Sequence, residues 1–286
     1  MSKVSVVTDS CASIPEPLLQ KLQIHTVAYY IHRQGEALRD LVDVQRGEFL
    51  RWLASAATLP TTACPGPGDY LEVYKSLIKR GFEQIVSIHM TSRGSGAYQS
   101  AKTAQSMIAQ QFPAVRLEVV DTLNVSLCQG WIAIEAARAA LGGVSLDEIL
   151  AKIQRMIPVT QMIQTADTLR YLYMGGRIGM AKRLLGTLLN VKPLIGMKDG
   201  VIQALGQARS RMGAYREMAE YVAGLVGTNK VKIAYVHAGA IQDVERLKSV
   251  IEAKLNIAES FIAELSPALS VHTGPGTVGV CFYPVE

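Results

Sequence analysis

The stretch MTSRGSGAYQSAK, Met90 to Lys102, carries two small hydroxyls and two glycines between a hydrophobic run, EQIVSIHM, and a helical pattern. Ala97, Ala101, Ala104, Ile108 and Phe112 recur on one helical face, with Gln99, Lys102, Ser106 and Gln110 largely away from it. Hydroxyls and free backbone N–H groups at a helix N-terminus make a site for a carboxylate or a phosphate. Ser92, Ser95 and the helix start near Gly96 are the candidates here. The loop has no GxxxxGK[ST] pattern, so it is not a Walker loop, and Gly94-Ser95-Gly96 is too tight for a GxSxG nucleophile elbow. A serine hydrolase would still need a His and an Asp brought in by the fold. His89, His237 and His272 are available, but no spacing links them.

Three other segments could work with this loop. TACPGPGDY, Thr62 to Tyr70, is rich in Pro and Gly ahead of a helical stretch and could bring the Thr62 hydroxyl to the same place. LRYLYMGGRIGMAKRLLGTLLNVKP, Leu169 to Pro193, reads as a helix, a Gly175-Gly176 break, Arg177 and a second helix. Arg177 is either a fixed cation at a domain junction or a salt-bridge partner. GPGTVG, Gly274 to Gly279, matches GxGxxG by letter, but a strand follows it and the required helix and acidic residue do not. Its glycines suit a tight turn, just after His272.

The elements that must position these residues alternate in the first half. Lys3 to Thr8, Ile24 to Ile31, Gln84 to His89 and Arg116 to Val120 read as strands separated by helical patterns, which argues for a mostly parallel sheet flanked by helices. Three strands end in Thr8-Asp9-Ser10, Thr91-Ser92 and Asp121-Thr122, and open α/β sheets bind ligands beyond the carboxyl ends of their strands. A long helical region from about Trp131 to Met156 ends at Pro158, a plausible domain boundary. After it, Val159 to Thr165 looks like a strand, and Val191 to Met197 with Val201 to Gln207 reads as a hairpin around Asp199-Gly200. Lys230 to His237, Ser260 to Leu265 and Val278 to Tyr283 complete the strand set. The expectation is two domains, an N-terminal α/β domain over 1–158 and a C-terminal α+β domain over 159–286 with a largely antiparallel sheet.

Bulk properties narrow the function classes. Of the 286 residues, 49% are hydrophobic and 19% charged, the balance of a folded globular protein. The net charge of +5 is mild, and the basic residues are scattered without interleaved aromatics, which argues against nucleic acid. No apolar stretch reaches the length of a membrane span, and the N-terminus shows no signal region. Four widely spaced cysteines without a CxxC pair fit a reduced cytoplasmic protein and give no metal site.

Taken together, the segments resemble the DegV family of bacterial fatty-acid-binding proteins. Six blocks carry the likeness in the family's order: VTDSCASIP, TACPGPGDY, MTSRGSGAYQSA, VVDTLNVSLCQG, LRYLYMGGRIGMAKRLLGTLLNVKP and HTGPGTVGV. The resemblance implies two α/β domains with a long-chain fatty acid in a tunnel between them. It implies a carboxylate held by Thr62 and Ser95, with Ser92 in reach, His272 near the carboxyl group, and Arg177 and Arg209 serving the surroundings or partner docking. It further implies a non-catalytic protein without metal or cofactor that presents its fatty acid to a fatty acid kinase catalytic subunit, which makes acyl phosphate for phospholipid synthesis, and it leaves room for transient membrane contact. The residue-level alternatives are a hydrolase or phosphate-handling enzyme using the same serine-rich loop, and a binding module for another small anion. The chain departs from the family pattern at Ala63, Cys64, Gly94 and Ala97.

Overall fold

The computed structural model describes residues 3–187 and 191–285. The first half supplies β1 (Val4–Asp9), α1 (Glu16–Leu22), β2 (Ile24–Val27), β3 (Tyr30–Arg33), β4 (Glu36–Arg39), α2 (Arg46–Ser55), β5 (Thr61–Ala63), α3 (Pro67–Lys79), β6 (Gln84–His89), α4 (Ala97–Gln111), β7 (Arg116–Asp121), α5 (Leu127–Leu141) and α6 (Leu146–Val159). β2, β1, β6 and β7 form a wholly parallel four-stranded sheet in that order, with Val6 opposite both Ile24 and Val86. β4, β3 and β5 form a separate antiparallel sheet.

The second half supplies β8 (Gln161–Thr165), α7 (Arg170–Met174), a 3-10 segment (Gly179–Thr187), β9 (Lys192–Lys198), β10 (Val201–Ala208), α8 (Arg211–Val226), β11 (Lys230–His237), α9 (Ile241–Glu252), β12 (Asn256–Glu264), α10 (Pro267–Thr273) and β13 (Val278–Val285). Its six-stranded sheet runs β10-β9-β8-β13-β11-β12 and is antiparallel except for the β11–β12 pair. The architecture is therefore the expected parallel α/β half followed by a mostly antiparallel α+β half.

Three local expectations change. The run IHTVAYYI is not one strand: β2 stays in the parallel sheet and β3 leaves it for the small sheet. Between them the Tyr29 N–H donates to the Ser10 hydroxyl at 3.1 Å, so the backbone is satisfied outside any ladder. The long helix breaks at Gly142-Gly143, where Gly143 has φ +80°, and Ser145 with Glu148 forms a capping box that starts α6. Pro158 sits inside the last turn of α6 rather than ending it. The second helix of the Leu169–Pro193 block is a 3-10 segment, and positions 188–190 of that block lie outside the described residues. The hairpin holds, with Asp199 at φ 49° and Gly200 at φ 78°, both left-handed as a type I′ turn requires.

One core runs through both halves. α5 is buried on nearly every face because it lies between the sheets, with residues on β1 and on β13. Trp131 anchors it by donating its indole N–H to the Cys281 carbonyl at 3.0 Å. At one edge, Glu135 of α5 takes Lys152 of α6 and Lys232 of β11, each at 2.8 Å, and Arg138 at 2.7 Å. Burial alone would raise the Glu135 pKa, but the hydrogen bonds from Lys152 and Lys232 outweigh it and bring it down to about 2.

Candidate functional site

A cavity enclosing about 330 Å³ lies between the two sheets, at the carboxyl ends of the parallel strands. One end is polar and is built from both halves of the chain. Ser95 precedes α4, whose N-cap is Gly96. The Ser95 hydroxyl accepts the Ala97 N–H at 3.2 Å and lies 2.6 Å from the Tyr29 hydroxyl. Burial, and then the nearby Asp9, push the Tyr29 phenol well above its ordinary pKa, so it keeps its proton. With Tyr29 as donor, both Ser95 lone pairs are used and the Ser95 proton is left for a ligand.

Opposite, Thr62 of β5 meets His272 in the last turn of α10, with Oγ1 and Nε2 2.8 Å apart. Burial, reinforced by the charge of Arg177, brings the His272 pKa down to about 4, so the ring is neutral near pH 7. Its Nδ1 is buried without a partner. An unpaired ring acceptor is less costly than an unpaired N–H, so we assign the proton to Nε2, where Thr62 accepts it. Thr62 then keeps its own proton for a ligand too. Gly175 makes this geometry possible: a Cβ there would overlap His272 Nδ1. The first glycine of the GGRI block is thus a space requirement set by a histidine nearly a hundred residues away.

Of the residues singled out in the sequence, the structure brings Thr62, Ser95, Gly96, His272 and Arg177 to this cavity. Arg177 is exposed at the rim, donates to the Gly175 carbonyl at 2.8 Å and has no carboxylate partner among the described residues, which favours the fixed cation over the salt-bridge partner. Ser92 and Arg209 are exposed and outside the lining. Thr91 turns inward to donate to the Gly200 carbonyl at 3.0 Å, so the next residue, Ser92, faces out and its N–H goes to Asp121. Arg209 follows the far end of β10, roughly 20 Å along the strand from Ile202 at about 3.3 Å per residue, while the cavity touches only the turn end of the hairpin. Tyr29 carries no signal in the sequence, since nothing in IHTVAYYI marks one tyrosine over the next.

The hydrolase alternative would need a histidine and an acid beside the serine-rich loop. Asp9, His89 and Ser87 are linked in the order of a catalytic triad, at 2.9 and 2.7 Å. All three are fully buried, Ser87 also accepts the Tyr74 hydroxyl, and none lines the cavity. No histidine pairs with Ser95 among the described residues. Of the departures from the family pattern, Cys64 and Gly94 line the cavity, and the Cys64 sulfur packs against Gly96. No group of three His, Cys, Asp or Glu among the described residues could hold a metal, and no described helix is long and apolar enough to cross a membrane.

Known proteins share the sequence family and the fold. The model of a family described as "Uncharacterised protein, DegV family" covers residues 3–285. A DegV domain-containing protein of Caldanaerobacter subterraneus subsp. tengcongensis is 30% identical over 283 residues, 99% of each chain. A solved DegV family protein from Thermus thermophilus, described by its fatty acid binding, is 32% identical with a TM-score of 0.92 and covers 99% of this chain and 100% of its own. A stearic-acid-binding protein from Eubacterium ventriosum is 26% identical with a TM-score of 0.87, over 99% of this chain and 98% of its own. On the family match across nearly its whole length, the chain belongs to the DegV family.

Proposed function

We propose that this protein binds a long-chain fatty acid in the cavity between its sheets, with the carboxylate held by Thr62, Ser95 and the N-terminus of α4, and His272 and Arg177 beside it. The observation that carries this is the pair of hydroxyls, from β5 and the start of α4, converging on the polar end of a cavity walled elsewhere by residues such as Met162, Met197, Leu172 and Leu269. A C16–C18 tail in a dry channel gains up to about 12 kcal/mol at ~0.8 kcal/mol per CH₂. Association takes back a large part of that, on the order of 4–15 kcal/mol. The tail therefore supplies affinity. The head group needs partners because a buried carboxylate without them is costly. The named activity of the Thermus thermophilus and Eubacterium ventriosum relatives supports the same ligand class.

The chain acts as a carrier rather than an enzyme, and no cofactor is required for that role. It presents the acid to a fatty acid kinase catalytic subunit, which phosphorylates the carboxylate and feeds phospholipid synthesis. The rim fits this: Gly176 and Arg177 line the opening, and Tyr173, Met174 and Met180 beside them are exposed, a surface suited to a partner protein or to transient membrane contact in a cytoplasmic carrier. Domains of 1–158 and 159–286 would divide the chain in the last turn of α6, just ahead of β8.

Mass spectrometry of ligand extracted from the purified protein tests the binding. A long-chain fatty acid is expected; an empty cavity, a nucleotide or a sugar phosphate would refute it. Mixing the protein with a fatty acid kinase and ATP tests presentation. Acyl phosphate should form only when both proteins are present.

A further inference from the structure

Besides Thr62, Ser95 and His272, two further polar side chains line the cavity and make no side-chain hydrogen bond among the described residues. Ser126 and Gln164 are 4% and 5% exposed and both belong to the lining. The Ser126 hydroxyl is buried without a hydrogen-bond partner, and the Gln164 side-chain amide makes no hydrogen bond among the described residues. Ser126 also sits at φ 58°, ψ −147°, a region that non-glycine residues adopt only when their surroundings impose it and that gathers at ligand clamps. Although it is the N-cap of α5, its side chain caps nothing.

The two residues belong to one wall. Asn124 Nδ2 donates to the Thr160 carbonyl at 3.0 Å and the Cys128 thiol to the Gln161 carbonyl at 3.2 Å. These bonds strap the stretch around Ser126 onto the start of β8. Along β8, Met162 and Gln164 share a face by strand alternation, and both reach the cavity. A buried hydroxyl such as that of Ser126 is almost always paired, because an unpaired one forfeits its hydration with no return. A plain alkyl tail in this chamber would offer neither group a partner.

We infer, given a fatty acid in the cavity as proposed above, that Ser126 and Gln164 form a second polar subsite for a hydroxyl carried partway along the acyl chain, so that the preferred ligand class is a hydroxy fatty acid. Such a hydroxyl would give the buried Ser126 side chain the partner that the fold does not. The carboxylate end would then set orientation, and this subsite would select the substituent and its distance from the head group.

The test is a fluorescent-displacement titration of the full chain with stearate and with monohydroxystearates whose hydroxyl is moved along the chain. The variants are Ser126→Gly, which removes the hydroxyl and suits the positive φ, and Gln164→Met, which keeps the volume. Wild-type protein should bind one hydroxyl position about tenfold more tightly than stearate, the effect of one net buried hydrogen bond. In the double variant the affinity ratio between that isomer and stearate should fall to about one. If stearate matches every hydroxylated isomer in wild-type protein, the subsite is filled by water or by nothing and the inference is overturned. Survival of the preference in the double variant overturns it too. Failure of all these acids to bind would instead remove the proposed function on which it rests.

Discussion

The double substitution Thr62→Ala, Ser95→Ala probes the head-group cradle most directly. In the structure each hydroxyl accepts from a neighbour, Thr62 from His272, and Ser95 from Tyr29 and the Ala97 N–H. Each is left with one proton to donate to a carboxylate. A hydrogen bond to a charged group contributes about 1.5–3 kcal/mol. Losing both should weaken palmitate binding by roughly 3–6 kcal/mol, a factor of about 10² to 10⁴ at 1.4 kcal/mol per tenfold, if the two act independently. They serve one carboxylate, so coupling should pull the sum toward the lower end. The assay is displacement of a fluorescent fatty acid, with palmitate and its methyl ester compared. The ester lacks the charge and should lose no more than about tenfold, in line with weaker neutral hydrogen bonds. Cys64→Ala, which touches Gly96 but offers no strong donor, should stay within about threefold, the range of a minor packing change. A folded double variant that binds palmitate within threefold of wild type would refute the cradle.

Other perturbations follow from the same geometry. Gly175→Ala should push His272 off Thr62 and weaken fatty acid binding by about tenfold, the size of one lost hydrogen bond, with the fold kept by circular dichroism. His272 titrates near 4 in the fold against about 6.5 when unfolded, so between those values the unfolded chain binds the extra proton and stability falls as pH is lowered. His272→Gln should therefore lose less stability than wild type in urea melts taken from pH 7 to 4.5, by about 2.4 kcal/mol at 1.36 per pKa unit. Asp40, raised to about 6 by burial, contributes with the opposite sign in both proteins and cancels in the comparison. Glu135→Gln should cost about 2–4 kcal/mol in urea unfolding at pH 7, because Lys152, Lys232 and Arg138 lose their shared carboxylate. That contribution in wild type should be present above pH 4.5 and fade as pH falls toward 2; a loss under 0.5 kcal/mol would mean water already screens the cluster.

Much of the architecture was legible in the chain because its signals are local. Gln84–His89 and Lys230–His237 are continuous apolar, β-branched runs, and the strands form with those bounds. Asp199-Gly200 demands left-handed backbone and the hairpin closes there. The Ser145–Glu148 box and Gly142-Gly143 were equally local signals that a continuous helical pattern obscured. The Tyr29–Tyr30 step lacked such a signal, because what separates β2 from β3 is a hydrogen bond to Ser10 nineteen residues earlier.

For the site, sequence alone determined which residue types stood ready: a hydroxyl in each of two Gly-rich turns, a histidine before a third, and an arginine after a glycine pair. Six blocks in a family's order were enough to name the ligand class to expect. Only the tertiary structure decided which of those residues meet. Residues are sorted inward or outward by strand alternation and by long-range contacts, so Thr91 faces in and Ser92 out, and Arg209 is carried away down β10 while Gly200 stays at the cavity. The protonation states that free Thr62 and Ser95 to donate were likewise undecidable from residue identity. They depend on the burial of Tyr29 and His272, and burial is a property of the packed chain, not of any one segment of it.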